Sequence, residues 1–155
     1  MDAPDKTDLR LLEILQEDGK IATQTLAEKA HLSPSPCWRR VNKLEKTGVI
    51  SGYVALLDAR KLGLATRAYV HISLLDHTEE TIRKFDSFVQ HEPQIVECCS
   101  ITGADDYLLK VIAQDPESLE EFIMKKILRL GVVRASTTHF VLSQKKYSTA
   151  LPLAI

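Results

Sequence analysis

The segment LSPSPCWRRVNKLEKTG, residues 32–48, contains the start and end signals of one helix. Ser33 is the predicted N-cap, and Pro34 and Pro36 then occupy the first and third helical positions, where a backbone N–H has no partner within the helix. Gly48 is a residue type that commonly ends helices. The sequence therefore predicts a helix between Ser33 and Gly48.

The two faces of this helix differ in character. At about 100° per residue, Cys37, Val41 and Leu44 share an apolar face. Ser35, Arg39, Asn42 and Lys46 lie on the opposite face, with Trp38 and Lys43 beside them. Residues 38–47 carry four Lys or Arg and one acid in a chain whose net charge is −1. Positive charge concentrated on one helix face predicts contact with nucleic acid.

The preceding residues predict two more helices. Asp5 is a plausible cap for a helix over 6–18 that Gly19 ends, and Thr23 is the predicted cap of a short second helix. His31 lies where a tight turn must reverse the chain. Helix, short helix, turn and basic helix make a helix-turn-helix, which presents its last helix to the major groove.

After this helix the pattern of residue types changes. Residues 49–58 are rich in β-branched and apolar side chains, and the sequence predicts a strand there, followed by a linker. We expect two domains, residues 1–62 and 63–155.

The second domain has the predicted order βαββαβ. Strands are expected from Thr66 to Leu74 and over 95–102, 107–113 and 136–142, with helices over 79–91, capped by Thr78, and over 116–130. This order describes an α+β, ferredoxin-like fold in which two helices cover one face of an antiparallel sheet. Apolar residues on both faces of the strands indicate that the other sheet face packs against a second copy.

Composition excludes several classes of protein. A net charge of −1 with a pI near 6.5 argues against a protein that binds polyanions by bulk charge. No apolar run approaches the roughly 18 residues that span a bilayer, and the amino terminus is acidic, so we expect a cytoplasmic protein with no membrane partner. Cys37, Cys98 and Cys99 show no ligand spacing and are interpreted as reduced core residues without a metal. The five histidines are scattered and no catalytic motif is present, so neither enzyme activity nor a cofactor is expected.

The chain resembles the Lrp/AsnC family, the feast/famine regulators. Three stretches carry the resemblance: residues 32–50, residues 52–58 (GYVALLD) and residues 102–110 (TGADDYLLK). The resemblance implies a DNA-binding helix-turn-helix joined to a ligand-sensing (RAM-type) domain, with double-stranded DNA and an amino-acid effector as partners. It also implies self-assembly into dimers and often larger assemblies such as tetramers or octamers. The chain departs from the family pattern at three places: Ala22, Trp38 and residues 130–133. At the last of these, family members commonly have Pro-Gly.

The basic face supplies the candidate DNA contacts, and its alternative interpretation is a solvated helix surface. Arg39 can pair bidentately with guanine and Asn42 with adenine, whereas Lys43 and Lys46 suit phosphates. Trp38 is either a core aromatic or a thymine-methyl and sugar contact. The full set of candidates is Ser33, Ser35, Trp38, Arg39, Asn42, Lys43 and Lys46.

The segment Gly103 to Tyr107, in and next to the turn at residues 102–106, is the candidate effector site. Its alternative interpretation is an ordinary hairpin with Gly103 at positive φ and two acids in solvent. The family resemblance implies that the matching turn contacts the amino acid. Asp106 suits an α-ammonium group, and backbone N–H groups suit the α-carboxylate. The candidates are Ser100, Thr102, Gly103, Ala104, Asp105, Asp106, Tyr107, Thr137 and Thr138.

Two functions remain open at this point. One is an amino-acid-responsive transcription regulator that recognises a DNA sequence. The other is an effector-binding oligomer that compacts DNA or binds a partner protein without gene specificity.

Overall fold

The computed structural model describes residues 3–153. The chain forms two compact units: one runs to Leu56 and includes the segment from Lys146 onward, and the other is Leu57–Lys145. The boundary between the units thus lies between residues 56 and 57, before the predicted boundary between residues 62 and 63. The final segment belongs to the first unit. Two hydrogen bonds between Gln16 and Leu151, of 2.6 and 3.3 Å, attach that segment to the first helix.

The first unit contains the three predicted helices, α1 (Lys6–Glu17), α2 (Thr23–Lys29) and α3 (Pro34–Lys46). Asp5 caps α1 as predicted, because its carboxylate accepts the Asp8 N–H at 2.8 Å while the Asp8 side chain accepts the Asp5 N–H. The core of this unit is formed by Leu11, Leu26, Ala27, Ala30 and Cys37.

The caps of α2 and α3 differ from the prediction. Ala22 is the N-cap of α2, with its carbonyl accepting the Leu26 N–H at 2.9 Å, and Thr23 is already helical; Thr23 as cap was wrong. Ser33 is the N-cap of α3, but its side chain makes no capping hydrogen bond. The third helical residue is Pro36, which has no N–H to donate to a serine oxygen.

The predicted strand over residues 49–58 is wrong. Residues 51–58 adopt no regular secondary structure, and Val54 and Leu57 are 85% and 74% exposed. High β-propensity reflects fit to a pleated, half-buried surface, and the described part of the chain offers this segment no strand to pair with. A short 3₁₀ turn, Arg60–Leu62, follows where a linker was expected.

The second unit has the predicted βαββαβ order. Its strands are β1 (Thr66–Leu74), β2 (Ile95–Ser100), β3 (Tyr107–Ala113) and β4 (Val133–Phe140), and its helices are α4 (Glu79–His91) and α5 (Pro116–Phe122). The strands form one antiparallel sheet in the order β2-β3-β1-β4. Both helices pack on one face, so the ferredoxin-like prediction is confirmed.

Three elements of this unit, β2, β4 and α5, have boundaries that differ from the prediction. β2 ends at Ser100 rather than residue 102. β4 begins at Val133 rather than residue 136 and ends at Phe140, because Gly131 reverses the chain at φ 77° and Val133 pairs with Leu74. The helix predicted over 116–130 continues beyond α5 as a π turn at residues 123–127 and a 3₁₀ turn at 128–130.

Alternation along β1 separates the two sheet faces. Ala68, Val70 and Ile72 are fully buried under α4 and α5, as predicted. Tyr69 and His71 point to the opposite face, which no element of this unit covers. That face also carries Leu108, Lys110, Ile112, Thr137 and His139, as strand register shows. It is more polar than the sequence predicted.

Candidate functional site

The outer face of α3 presents its cations to solvent. Arg39, Lys43 and Lys46 are exposed, and no ion pair involves any of them within residues 3–153. Ser33 and Ser35 are exposed at the amino end of the helix, while Asn42 is half-buried. Exposed cations without an acidic partner remain available to pair with an external anion.

Arg40 differs from its neighbours on α3. One nitrogen of its guanidinium lies 2.7 Å from the Asp5 carboxylate and 2.7 Å from the buried Asp8 carboxylate. The pKa of Asp5 is lowered, chiefly by the Asp8 backbone N–H and then by Arg40. One of the four cations in this segment therefore fastens α3 to α1.

The turn before α3 sets the direction of that helix. His31 adopts a left-handed conformation at φ 56°, as a chain reversal requires, and the Leu32 N–H bonds to the Ala27 carbonyl at 2.8 Å. Cys37 and Leu44 are buried, which keeps the apolar face inward. The predicted turn and helix faces are thus confirmed.

Trp38 is 58% exposed, so the core-aromatic alternative was wrong. Its indole lines a shallow cavity of about 460 Å³ together with Asn42, Glu45 and Tyr53. Burial and the Glu45 carboxylate, which accepts the Tyr53 hydroxyl at 3.0 Å, raise the pKa of Tyr53 to about 12. Trp38 is available at the edge of the basic face.

In the second unit, Asp106 anchors the turn between β2 and β3. Its carboxylate lies 2.8 Å from His77 Nε2 and accepts the Leu74 N–H at 2.7 Å, while its own N–H donates to the Ile72 carbonyl at 2.9 Å. Hydrogen bonding to His77 and then to the Leu74 N–H lowers the pKa of Asp106. The turn does join two antiparallel strands with Gly103 at φ 130°, as the hairpin interpretation predicts, but its two acids are hydrogen-bonded rather than free in solvent, so that part of the interpretation was wrong.

Asp105 is anchored on the uncovered sheet face. It accepts the Ser73 hydroxyl at 2.8 Å and lies 3.3 Å from His71 Nδ1. The His71 ring packs edge-on against His139, with 5.2 Å between ring centroids. His71, Ser73 and His139 were not predicted as site residues. The alternation of β1 placed His71 and Ser73 on one face, but it could not place Asp105 beside them.

The other predicted effector residues divide between two sheet faces. Thr137 lies opposite His71 and shares the face of Asp105, whereas Thr138 lies opposite Val70 on the helix-covered face. The Tyr107 ring contacts Phe85 with centroids 4.6 Å apart, also on the covered face. The remaining residues, Ser100, Thr102, Gly103 and Ala104, are exposed in or next to the turn. The structure therefore places Asp105 and Thr137 on the uncovered sheet face, and Thr138 and Tyr107 on the helix-covered face.

Three other kinds of feature could carry a function in the described residues: cysteine thiols, clusters of possible metal ligands and membrane-spanning helices. Burial raises the pKa of the Cys37 thiol, and burial with Cys99 nearby raises that of Cys98 to about 11, so both are neutral thiols near pH 7. Within residues 3–153 no three His, Cys, Asp or Glu side chains are grouped to hold a metal ion. None of the described helices is long and apolar enough to cross a membrane.

Comparison with known proteins identifies both units. Residues 67–151 match the model of the Lrp/AsnC ligand binding domain, and residues 4–51 match a winged helix-turn-helix DNA-binding model. The chain belongs to the Lrp/AsnC family. It is therefore a DNA-binding transcriptional regulator with a ligand-binding domain, and its relatives in the family are regulators rather than enzymes.

Individual Lrp/AsnC proteins match over nearly the whole chain. The DNA-binding transcriptional activator DecR of Escherichia coli is 36% identical, with 96% of this chain and 98% of that protein covered. The transcriptional regulator AzlB of Bacillus subtilis is 35% identical over 96% and 95% of the two chains. A transcriptional regulator of Neisseria meningitidis, solved in complex with L-Met, is 33% identical over 97% of each chain with a TM-score of 0.94.

Proposed function

We propose that this protein binds specific, pseudo-palindromic DNA sites through α3, as a homodimer or larger assembly, and that an amino-acid effector controls its assembly and DNA affinity. The unit ending at Leu56 is the DNA-binding part, and Leu57–Lys145 is the effector-binding and oligomerisation part. The observation that carries the proposal is the contrast on α3 between Arg40, held by two carboxylates, and the outward cations Arg39, Lys43 and Lys46, which have no acidic partner among residues 3–153.

The side chains of α3 suit different parts of a duplex. Arg39 is exposed in the middle of the helix, where its guanidinium can pair bidentately with guanine in the major groove. Lys46 and Lys43 follow toward the carboxyl end, where single charges suit phosphates, and Ser33 and Ser35 can donate hydrogen bonds to phosphates at the other end. Asn42 and Trp38 are further candidates for base contacts, although Asn42 is partly buried by its neighbours.

The uncovered sheet face supports self-assembly. Tyr69, Leu108 and Ile112 place apolar surface there beside charged and polar groups, a mixture found in protein interfaces. A two-fold dimer would present two copies of α3, which matches a pseudo-palindromic site with half-sites about 34 Å apart.

The turn retains the capacity to hold an amino acid. Each carboxylate offers about four acceptor positions. The Asp106 carboxylate uses one for the Leu74 N–H and one for His77, and a quarter of its side chain is exposed, so it can still accept from an α-ammonium group. Thr102, Gly103 and Ala104 are exposed, and their backbone N–H groups suit an α-carboxylate. Two relatives support an amino-acid effector by name: the leucine-responsive regulatory protein of Klebsiella pneumoniae and the L-Met complex from Neisseria meningitidis.

Effector binding can be tested by thermal unfolding of the full chain against each of the twenty amino acids. A ligand at a hundred times its dissociation constant stabilises the folded state by about 2.7 kcal/mol, which is a readily measured shift. We expect one amino acid, or a chemically related group, to stabilise the protein. The absence of any shift would argue against an amino-acid effector.

Sequence specificity needs a separate measurement. DNA fragments selected from a random pool by the protein should bind at least about a thousandfold more tightly than random duplex at physiological salt. Nearly equal affinities would favour the alternative, an architectural DNA-binding oligomer.

A further inference from the structure

A polar cleft of about 300 Å³ lies at one edge of the second unit, away from the turn. It is lined by the segment that leads into β1 and by the segment that follows β4: Asp58, Arg60, Arg67, Ser143 and Gln144 supply its polar groups. Its volume is at the lower end of the range that proteins use for small molecules. Arg67 and Ser73 are six residues apart on β1, so the cleft is about 20 Å from the Asp105 site.

Arg67 is the unusual residue of this cleft. One terminal nitrogen donates to Gln144 Oε1 at 2.6 Å, but the Nε–H is buried and has no hydrogen-bond partner in the described part of the chain. No carboxylate of residues 3–153 forms an ion pair with this half-buried guanidinium. A buried donor left unsatisfied is costly, and each such group in a native protein calls for a physical account.

A small oxyanion in the cleft would satisfy this arginine once the guanidinium turns its Nε–H, which has less than 1 Å² of accessible surface, toward the cleft. The Nε–H and a terminal N–H of a guanidinium form a fork that matches two oxygens of a carboxylate or phosphate. Two arginines and one acid line the cleft, so its side chains carry a net positive charge. The acid, Asp58, is engaged: its Oδ1 accepts the N–H groups of Arg60 at 3.1 Å and Lys61 at 3.4 Å.

We propose that this cleft is a second ligand site, which binds a small carboxylate- or phosphate-bearing anion on Arg67. The anion bridges the chain segments that enter and leave the sheet, because Arg60 lies on the first and Ser143 on the second. It thereby orders the two segments adjoining the unit boundaries at Leu57 and Lys145. The site does not depend on the effector turn.

The test is thermal unfolding of the full chain in sodium acetate and, separately, in sodium phosphate, with ionic strength held constant by chloride. We expect a saturable rise in Tm with at least one anion, and at least a tenfold increase in its half-maximal concentration for Arg67→Gln. Response to acetate alone identifies a carboxylate ligand, response to phosphate alone a phosphate ligand, and response to both a site for either oxyanion. The control is Arg83→Gln, whose guanidinium belongs to an exposed pair with Glu79 on α4 and should leave the response unchanged.

A second variant keeps the test decisive if Arg67→Gln fails to fold. Ser143→Asp places a carboxylate in the cleft, so it should raise Tm in the absence of added anion and remove the response. A Tm that does not change with either anion in the unsubstituted protein overturns the proposal. So does an anion response that is the same in Arg67→Gln and Ser143→Asp as in the unsubstituted protein.

Discussion

The outer face of α3 and the turn at residues 102–106 differ in whether their charged side chains are paired. Arg39, Lys43 and Lys46 have no acidic partner within the described residues, whereas Asp105 and Asp106 each have two partners from their own unit. Unpaired charges remain available for an external anion such as DNA. Paired charges fix backbone geometry first and can bind a ligand only through the acceptor positions that remain.

The same contrast occurs between neighbours on α3. Arg39 and Arg40 are adjacent in sequence, but about 100° of helical rotation separates them. Arg40 meets Asp5 and Asp8 of the first helix, while Arg39 meets solvent. Similar residues thus divide into a recognition role and a structural role according to the face that they occupy.

The largest effect is expected on DNA binding. Arg39→Ala should weaken binding to the preferred site by about 1–3 kcal/mol and relax specificity, because a bidentate base contact is lost. Lys46→Ala should weaken binding to all sequences similarly and lower the salt slope by about 1, as expected for one phosphate contact. Both variants are titrated with specific and random duplexes at several salt concentrations. Equal effects of the two substitutions on both duplexes would remove the base-reading role of Arg39.

A comparable free energy should be lost from effector coupling in Asp106→Ala. If the effector acts through assembly, its influence on oligomer size and on DNA affinity, typically about 1–3 kcal/mol, should disappear from both together. Sedimentation and DNA titration, each with and without the amino acid, measure the two effects. Basal DNA binding should change little, because the turn and α3 belong to different units.

The matched variant Asp106→Asn separates the two roles of this carboxylate. Asparagine keeps an oxygen that can accept the Leu74 N–H but removes the negative charge that would attract an ammonium group. Loss of the effector response in both variants supports direct contact. A response retained in Asp106→Asn and lost in Asp106→Ala would show that Asp106 only positions the turn.

A smaller effect is expected for Arg40→Ala, and it should appear in stability. Removing the guanidinium leaves the buried Asp8 carboxylate without its cation, which should lower the free energy of unfolding by about 1–2 kcal/mol. The full cost expected for a buried group that loses its partner is not reached, because a third of Arg40 is exposed to solvent. Denaturant unfolding measures the change, with Arg39→Ala as the control that should leave stability nearly unaltered. A destabilisation equal in the two variants would contradict the division of roles on α3.

Local signals were sufficient for most of the fold. The caps Asp5 and Thr78, the left-handed Gly48 and the alternation along β1 each act within a few residues, and the structure confirms the elements that they predicted. Residues 49–58 show where local signals fail. Their apolar, β-branched pattern gives the propensity of a strand, but a strand also needs a hydrogen-bonding partner, which sequence pattern alone cannot supply.

The candidate sites were likewise predictable only where local sequence signals determine them. The basic face of α3 follows from helical periodicity, so its exposed residues were predictable, but the pairing of Arg40 with Asp5 depends on how two helices pack. The partners of Asp105 lie about thirty residues earlier on β1, and His139 joins them from β4. Contacts of this kind come from strand register, so the residues around the turn could not be identified from the turn itself.

The smallest expected effect is the response of the turn to acid, which tests whether its carboxylates are as firmly held as the geometry indicates. The pKa of Asp106 is lowered in the folded protein, first by His77 and then by the Leu74 N–H. A group with a depressed folded pKa contributes stability above its unfolded pKa, near 4, and that contribution is lost as the pH falls through the folded value. The anchor should therefore be fully present at pH 5 and weaken only below about pH 4. Hydrogen exchange at the Leu74 amide, corrected for its intrinsic pH dependence, should show protection that decreases over that interval, whereas Asp106→Ala should show low protection throughout. Protection independent of pH down to 3 in the unsubstituted protein would mean that the sheet, rather than Asp106, holds this amide, and the contrast between paired and unpaired charges would then rest on Asp105 alone.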